Sequence, residues 1–140
     1  MPSVGDTYVI REGESVTITA LDDDLLVMEA AWAPHEGSPP KHLHPSQDEH
    51  FELLEGQLTA EVDGKEHVLS PGHTLDIPAK AVHRMWNSGS GQARARWEVR
   101  PALRTAEFFE AMDGGINVAK GATLLWRFRR EFRLVSSLKG

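Results

Sequence analysis

Ala93-Arg94-Ala95-Arg96-Trp97-Glu98-Val99-Arg100 alternates without a fault: Ala93, Ala95, Trp97 and Val99 on one side, Arg94, Arg96, Glu98 and Arg100 on the other. Successive side chains of an extended chain point to opposite faces, so the segment reads as a strand with one buried face and one wet face. The same period runs through residues 15–20, with Val16, Ile18 and Ala20 inward, and through residues 27–32, with Met28, Ala30 and Trp32 inward. Residues 57–62 set Leu58, Ala60 and Val62 against Gln57, Thr59 and Glu61. Turn chemistry separates these runs. Asp63-Gly64 is a two-residue hairpin signal, and Ser70-Pro71-Gly72 and Ser88-Gly89-Ser90-Gly91 are further breaks. Gly37-Ser38-Pro39-Pro40 is excluded from a central strand, because its prolines donate no ladder hydrogen bonds. Many short strands between such breaks predict an all-β, antiparallel barrel or sandwich.

Past Pro101 the pattern changes. Thr105 is placed to cap a helix running to Met112 and stopped by Gly114-Gly115. Residues 122–137 bring Leu125, Phe128, Phe132 and Val135 to spacings of three and four, which predicts a second, amphipathic helix. Its Arg127, Arg129, Arg130 and Arg133 read as a solvated face complementing the helix dipole rather than as a nucleic-acid surface. The expected division is a β-barrel over residues 1–103 and a short helical extension, residues 104–140, packed on it.

Composition narrows the function classes. A chain of 140 residues is one domain's worth and buries about 70% of its unfolded surface. Its formal charge of −6 disfavours nucleic acid and anionic membranes as partners. With no cysteine, disulfides, zinc–thiolate sites, iron–sulfur clusters and thiol nucleophiles drop out together. No apolar run reaches the ~20 residues of a membrane span, and no basic stretch followed by an apolar core marks a secretory signal near the start. A soluble, cytoplasmic protein is the expectation.

The chemistry lies in the histidines. His42 and His44 flank Leu43, and strand positions two apart share a face, so both imidazoles point the same way. Glu49 follows after Pro45-Ser46-Gln47-Asp48, a turn's length, and a barrel can close His83, from the segment 82–87, against the other three. Three neutral imidazoles and a carboxylate suit one divalent ion: Fe, Mn, Ni, Co, Cu or Zn. On an octahedral ion they leave two positions open for water, oxygen or substrate. An isolated His-x-His is more often a satisfied surface pair, so the surrounding frame decides.

That frame runs Gly37, His42-x-His44, Glu49, Gly56, and then Gly72, Pro78, His83 and Asn87. In order and spacing it resembles the two motifs of the cupin superfamily, over residues 37–87 by motif and most of 7–103 by strand pattern. The resemblance implies a jelly-roll barrel of six to eight strands with His42, His44, Glu49 and His83 as metal ligands. Two positions depart from the family pattern: the gap from Gly37 to His42 is one residue shorter, and Lys80 stands where the family has a glycine. Lysine tolerates positive φ poorly, which bears on the turn and not on the ligands.

Of the other histidines, His50 adjoins Glu49 and by alternation faces the opposite side, at the surface or a subunit contact. His67 is expected exposed in a hairpin arm; His35 and His73 have no assigned partner. Gln47 is a candidate for reaching the site as a hydrogen bonder, and Trp32, Phe51, Leu53, Met85 and Trp97 for the pocket wall. Since side chains normally fill a small barrel, an open pocket implies a small organic ligand. The resemblance spans dioxygenases, isomerases, decarboxylases, storage proteins and sensor domains. The first expectation is a metal-dependent, oxygenase-like enzyme acting on a small aromatic or enolic compound, with Glu49 able to leave the metal and take a substrate proton. The alternatives are a metal-assisted isomerase or lyase, and a non-enzymatic small-molecule binder. An uncovered edge strand needs a partner, so a homodimer is expected.

Overall fold

Ala93–Arg100 is strand β10, and it forms the spine of the larger of two sheets. It pairs antiparallel on one side with β3 (Leu26–Trp32) and on the other with β5 (Asp48–Glu55). β2 (Glu14–Leu21) and β1 (Thr7–Arg11) extend the sheet beyond β3, and β8 (Thr74–Ile77) closes the far edge, giving the order β1-β2-β3-β10-β5-β8. The second sheet has the order β11-β4-β9-β6-β7, from β4 (His42–Leu43), β6 (Leu58–Val62), β7 (Lys65–Leu69), β9 (His83–Trp86) and β11 (Arg133–Leu134). Helices α1 (Thr105–Met112) and α2 (Val118–Arg127) lie between β10 and β11. The structure, a computed structural model, describes residues 1–34 and 39–135. His35, Gly37 and the last positions of the predicted second helix lie outside them. Among the described residues no helix is long and apolar enough to cross a membrane.

The architecture is all-β with a helical C-terminal segment, as the alternation predicts. It consists of two sheets rather than one continuously hydrogen-bonded barrel. The inward residues Ile18, Met28, Ala30, Phe51, Leu53, Leu58, Ile77 and Ala95 make the core between the sheets. Each large apolar side chain buried there contributes about 1.5–3 kcal/mol. Asp63 and Gly64 take the two positive-φ positions between β6 and β7 that a twist-matched two-residue hairpin requires.

Local reading fails where long-range contacts intervene. Val16 and Ile18 are buried but Ala20 is exposed, because the β2–β3 register slips between Ile18 and Ala20. One extra residue sends the following side chain to the opposite face. Thr105 does not cap α1: Arg104 holds that position without a side-chain cap, and the buried Thr105 hydroxyl receives the Gln47 amide at 2.8 Å. The second helix begins earlier than predicted, at Val118, where the Asn117 side chain accepts from the Lys120 amide at 2.8 Å. It ends at Arg127, and its inner face is formed by Leu124 and Phe128. Beyond it the chain turns and Arg133–Leu134 pairs with β4, with the Val135 amide donating to the Lys41 carbonyl. The unpaired edge of β4 offers those backbone groups a partner, which the helical pattern alone does not reveal. Arg129 and Arg104 donate to the Trp126 and Arg127 carbonyls, satisfying the end of α2 as the dipole argument expects.

Lys80 does take the left-handed conformation, φ 73°, in place of glycine. Its side chain is exposed, and its amide donates to the His44 carbonyl at 2.9 Å. This turn ties the loop before β9 to the residue that follows β4.

Candidate metal centre

The pairing of β4 with β9 sets His42 directly opposite His83. His44 lies just past β4, and Glu49 is the second residue of β5, on the facing sheet. Ligand nitrogens of His42, His44 and His83 fall within 4.8 Å of one another. Glu49 Oε1 is 3.0 Å from His44 Nε2 and 2.9 Å from His83 Nε2. All four positions read from the sequence therefore meet in one place. His44, Glu49 and His83 are buried and His42 half-buried.

The hydrogen bonds fix which atoms face inward. His44 Nδ1 lies 2.7 Å from the Glu131 carbonyl and His83 Nδ1 2.9 Å from the Ala81 carbonyl. A carbonyl only accepts, so each Nδ1 carries the proton and each Nε2 presents a lone pair to the centre. Glu49 Oε2 accepts from Trp97 Nε1–H at 2.7 Å, which leaves Oε1 turned toward the two rings. His44 Nε2 and Glu49 Oε1 complete no hydrogen bond despite their burial. Where the rings are neutral, lone pairs opposed at about 3 Å repel unless a metal ion lies among them, and where a ring is charged its proton takes that place. Adjacent ligands on an octahedral ion with bonds of about 2.1 Å are about 3.0 Å apart, so the donor set fits a divalent metal.

Electrostatics agree. Burial, with His83 and His44 beside it, pushes His42 down to about 3, so this ring stays neutral at any ordinary pH, the form a metal donor must have. Burial would raise the Glu49 carboxyl, but His44 and His83 outweigh it and hold the group well below the usual carboxylate range. For His44 burial disfavours the charged form, yet Glu49 and the Glu131 carbonyl prevail and its pKa rises. Below that raised value His44 holds a proton that a metal must displace. Metal affinity is therefore expected to fall as pH drops, starting above the usual histidine value of about 6.5. Calorimetric titration across pH checks this; an affinity flat between about pH 8 and 5.5 would contradict it.

The centre opens into a cavity of about 820 Å³. Trp32, Phe51, Met85 and Trp97 line it as anticipated, and Phe51 stacks on Trp97 with ring centroids 5.0 Å apart. Two expected members do not line it. Leu53 fills the core, and Gln47 spends its amide on the Pro101 and Ala102 carbonyls and the Thr105 hydroxyl, pinning the start of α1. His50 faces outward and binds Asp76 at 2.6 Å, His73 Nδ1 accepts from the Ser70 amide, and His67 is half-buried rather than exposed.

Much of the wall comes from residues that sequence reasoning did not connect to the site: Phe108, Phe109 and Phe132. Phe132 stacks on His42 at 4.8 Å, and the adjacent Glu131 carbonyl orients His44. The cavity exceeds what a small barrel's interior allows because this segment builds its outer half. One signal was available: only Phe51 precedes residue 104, whereas Phe108, Phe109, Phe128 and Phe132 follow it. Arg11 and Glu14 were also missed. Burial pushes Glu14 up to about 7 despite the nearby Arg11, and Glu49 adds to the rise.

Comparison with known proteins agrees with this geometry. A segment of 51 residues is 41% identical to an oxidoreductase from Arthrobotrys oligospora, covering 36% of this chain and 20% of that protein. Another of 42 residues is 48% identical to quercetin 2,3-dioxygenase from Bacillus subtilis, covering 30% of this chain and 12% of that one. The chain thus spans a fifth or less of these two relatives' length. The solved structure of KdgF from Halomonas sp. superposes with a TM-score of 0.65 at 19% identity, over 71% of this chain and 91% of that one. The family model for the cupin domain matches residues 28–97, a stretch that contains His42, His44, Glu49 and His83; the chain belongs to the cupin family.

Proposed function

We propose that the protein is a metal-dependent, oxygenase-like enzyme acting on a small aromatic or enolic compound held in the apolar cavity. One observation carries this reading: His44 Nε2 and Glu49 Oε1, buried without a hydrogen-bond partner, sit with His42 and His83 at the floor of a cavity walled by aromatic rings. His42, His44, Glu49 and His83 would hold a divalent ion there, which would supply Lewis acidity toward substrate oxygens and access to dioxygen.

The chain's own residues do the rest. Phe51 and Trp97, stacked on one another, give the cavity an aromatic wall against which a flat ring packs. Phe108 and Phe132, in contact at 5.1 Å, exclude water from the side of the C-terminal segment. Glu49 Oε1 takes the proton of a substrate hydroxyl, while Trp97 keeps Oε2 in place. The local similarity to a dioxygenase and an oxidoreductase supports the same reaction class. Dioxygen uptake by the iron, manganese and nickel forms, measured across aromatic and enolic compounds, tests the proposal. Uptake above background that disappears in Glu49→Gln is expected. Background uptake throughout would overturn it, and turnover without oxygen would move the assignment to an isomerase or lyase.

A further inference from the structure

Charged and titratable side chains reach the largely apolar cavity at two places: the candidate metal centre, and a cluster of Arg11 and Glu14 beside Trp32. The cluster is built by the β1–β2 hairpin and the neighbouring strand. Arg11 pairs with Glu14 across the turn, and Glu14 pairs with Trp32 across the β2–β3 ladder. Arg11 Nε lies 2.9 Å from Glu14 Oε1, which leaves the second carboxylate oxygen for another partner. Trp32 is 3% exposed, and its Nε1–H faces the same carboxylate without completing a well-formed hydrogen bond to it. A buried indole donor without an acceptor costs about 1–3 kcal/mol, so a group that fills the vacancy is favoured.

The cluster lies in the same cavity as the candidate metal ligands, and the chain limits how far from them it can be. Asn87, four residues past His83, donates to the Trp32 carbonyl at 3.0 Å. At about 3.3 Å per residue the Trp32 backbone lies up to roughly 13 Å along the sheet from His83, the span of two linked rings. The Ala33 amide, donating to the Gly13 carbonyl at 2.7 Å, and the Asn87 contact hold this end of the cavity in a fixed geometry.

We infer that Arg11, Glu14 and Trp32 are the specificity-determining anchor for a hydroxyl group on the end of an aromatic substrate remote from the metal. The hydroxyl donates to Glu14, whose carboxylate is oriented by Arg11, and its oxygen accepts from Trp32 Nε1–H. A hydroxyl suits both roles because it is donor and acceptor at once. A carboxylate at that end would meet Glu14 with like charge and no proton to give, and a bare ring would leave the indole donor unsatisfied. The inference rests on the reading of the cavity as an aromatic substrate pocket.

Two probes isolate the anchor: a catechol bearing a phenyl ring, and the same catechol bearing a para-hydroxyphenyl ring. Their affinities are compared by calorimetry on the full chain, with and without zinc. The hydroxylated probe is expected to bind about tenfold more tightly in both states. Glu14→Gln and Trp32→Phe, each checked for folding by circular dichroism, are expected to bring the ratio of the two affinities to about one, whatever either change does to the affinity for the phenyl probe itself. Equal affinity of both probes for the unaltered protein, or a preference that survives both substitutions, overturns the anchor and leaves the pocket reading intact. Failure of both probes to bind overturns the two together.

Discussion

Replacing His83 by alanine is expected to lower divalent-metal affinity by more than about a hundredfold, while His50→Ala leaves it unchanged. Removing a group that only orients a ligand already costs roughly 10–100-fold, and His83 is itself a donor. Its Nε2 sits 2.9 Å from Glu49 Oε1, and its Nδ1–H is committed to the Ala81 carbonyl, so no other side chain substitutes for the lost lone pair. His50 is the sharper control because it is adjacent in sequence to Glu49. The strand turns it to the outer face, where it pairs with Asp76 at 2.6 Å. Elemental analysis of untagged protein, with calorimetry for the affinities, checks both. Equal losses in the two variants would show that the wrong face of β5 had been assigned to the metal.

Gly56→Ala is expected to destabilise the fold by about 3 kcal/mol or more, and Gly64→Ala by about 1 kcal/mol. Both glycines have positive φ, 80° and 83°, where any other residue pays roughly 1–2 kcal/mol. They differ in what surrounds them. A Cβ on Gly56 would lie 2.3 Å from the Gln92 carbonyl oxygen and 2.9 Å from Ala93 Cα, whereas at Gly64 nothing lies within 4 Å. The obstructing atoms belong to the backbone entering β10, so relief requires moving the strand that pairs with both β3 and β5. Overpacking of this kind adds about 1–3 kcal/mol. In thermal melts the Gly56 variant should lose roughly 10 °C. Equal losses at the two positions would remove the close-approach argument. The position matters to the metal centre as well, because β5, which carries Glu49, ends immediately before Gly56.

Glu49 illustrates how a buried carboxylate becomes useful. Burial alone would push its carboxyl up and weaken it as a ligand. His44, His83 and Trp97 keep it ionised and oriented, and each of these partners comes from a different part of the chain. The aromatic ceiling of Phe108, Phe109 and Phe132 then keeps bulk water from screening those interactions. The C-terminal segment is thus part of the site: its backbone orients His44, its Phe132 ring covers His42, and its β11 closes the edge of β4.

From sequence alone, the period-two alternation determined the strand at Ala93–Arg100, and the spacing of His42, His44, Glu49 and His83 marked the residues that converge. Both are local facts, or facts of a frame whose order survives folding. Alternation reports which side of a strand is buried, whatever it pairs with. Only the tertiary structure decided the path after Arg127, the burial of Glu14 and the size of the cavity. Residues 122–137 carry a helical pattern, yet Arg133 and Leu134 pair with β4, because an unpaired strand edge more than eighty positions away satisfies their backbone groups. Arg11 and Glu14 look like solvent-facing charges at a hairpin tip, and nothing nearby in the chain reveals that α1 and α2 will complete a cavity lined by both. Hydrogen bonds and burial between distant segments have no periodic signature, so they become visible only once the chain has closed on itself.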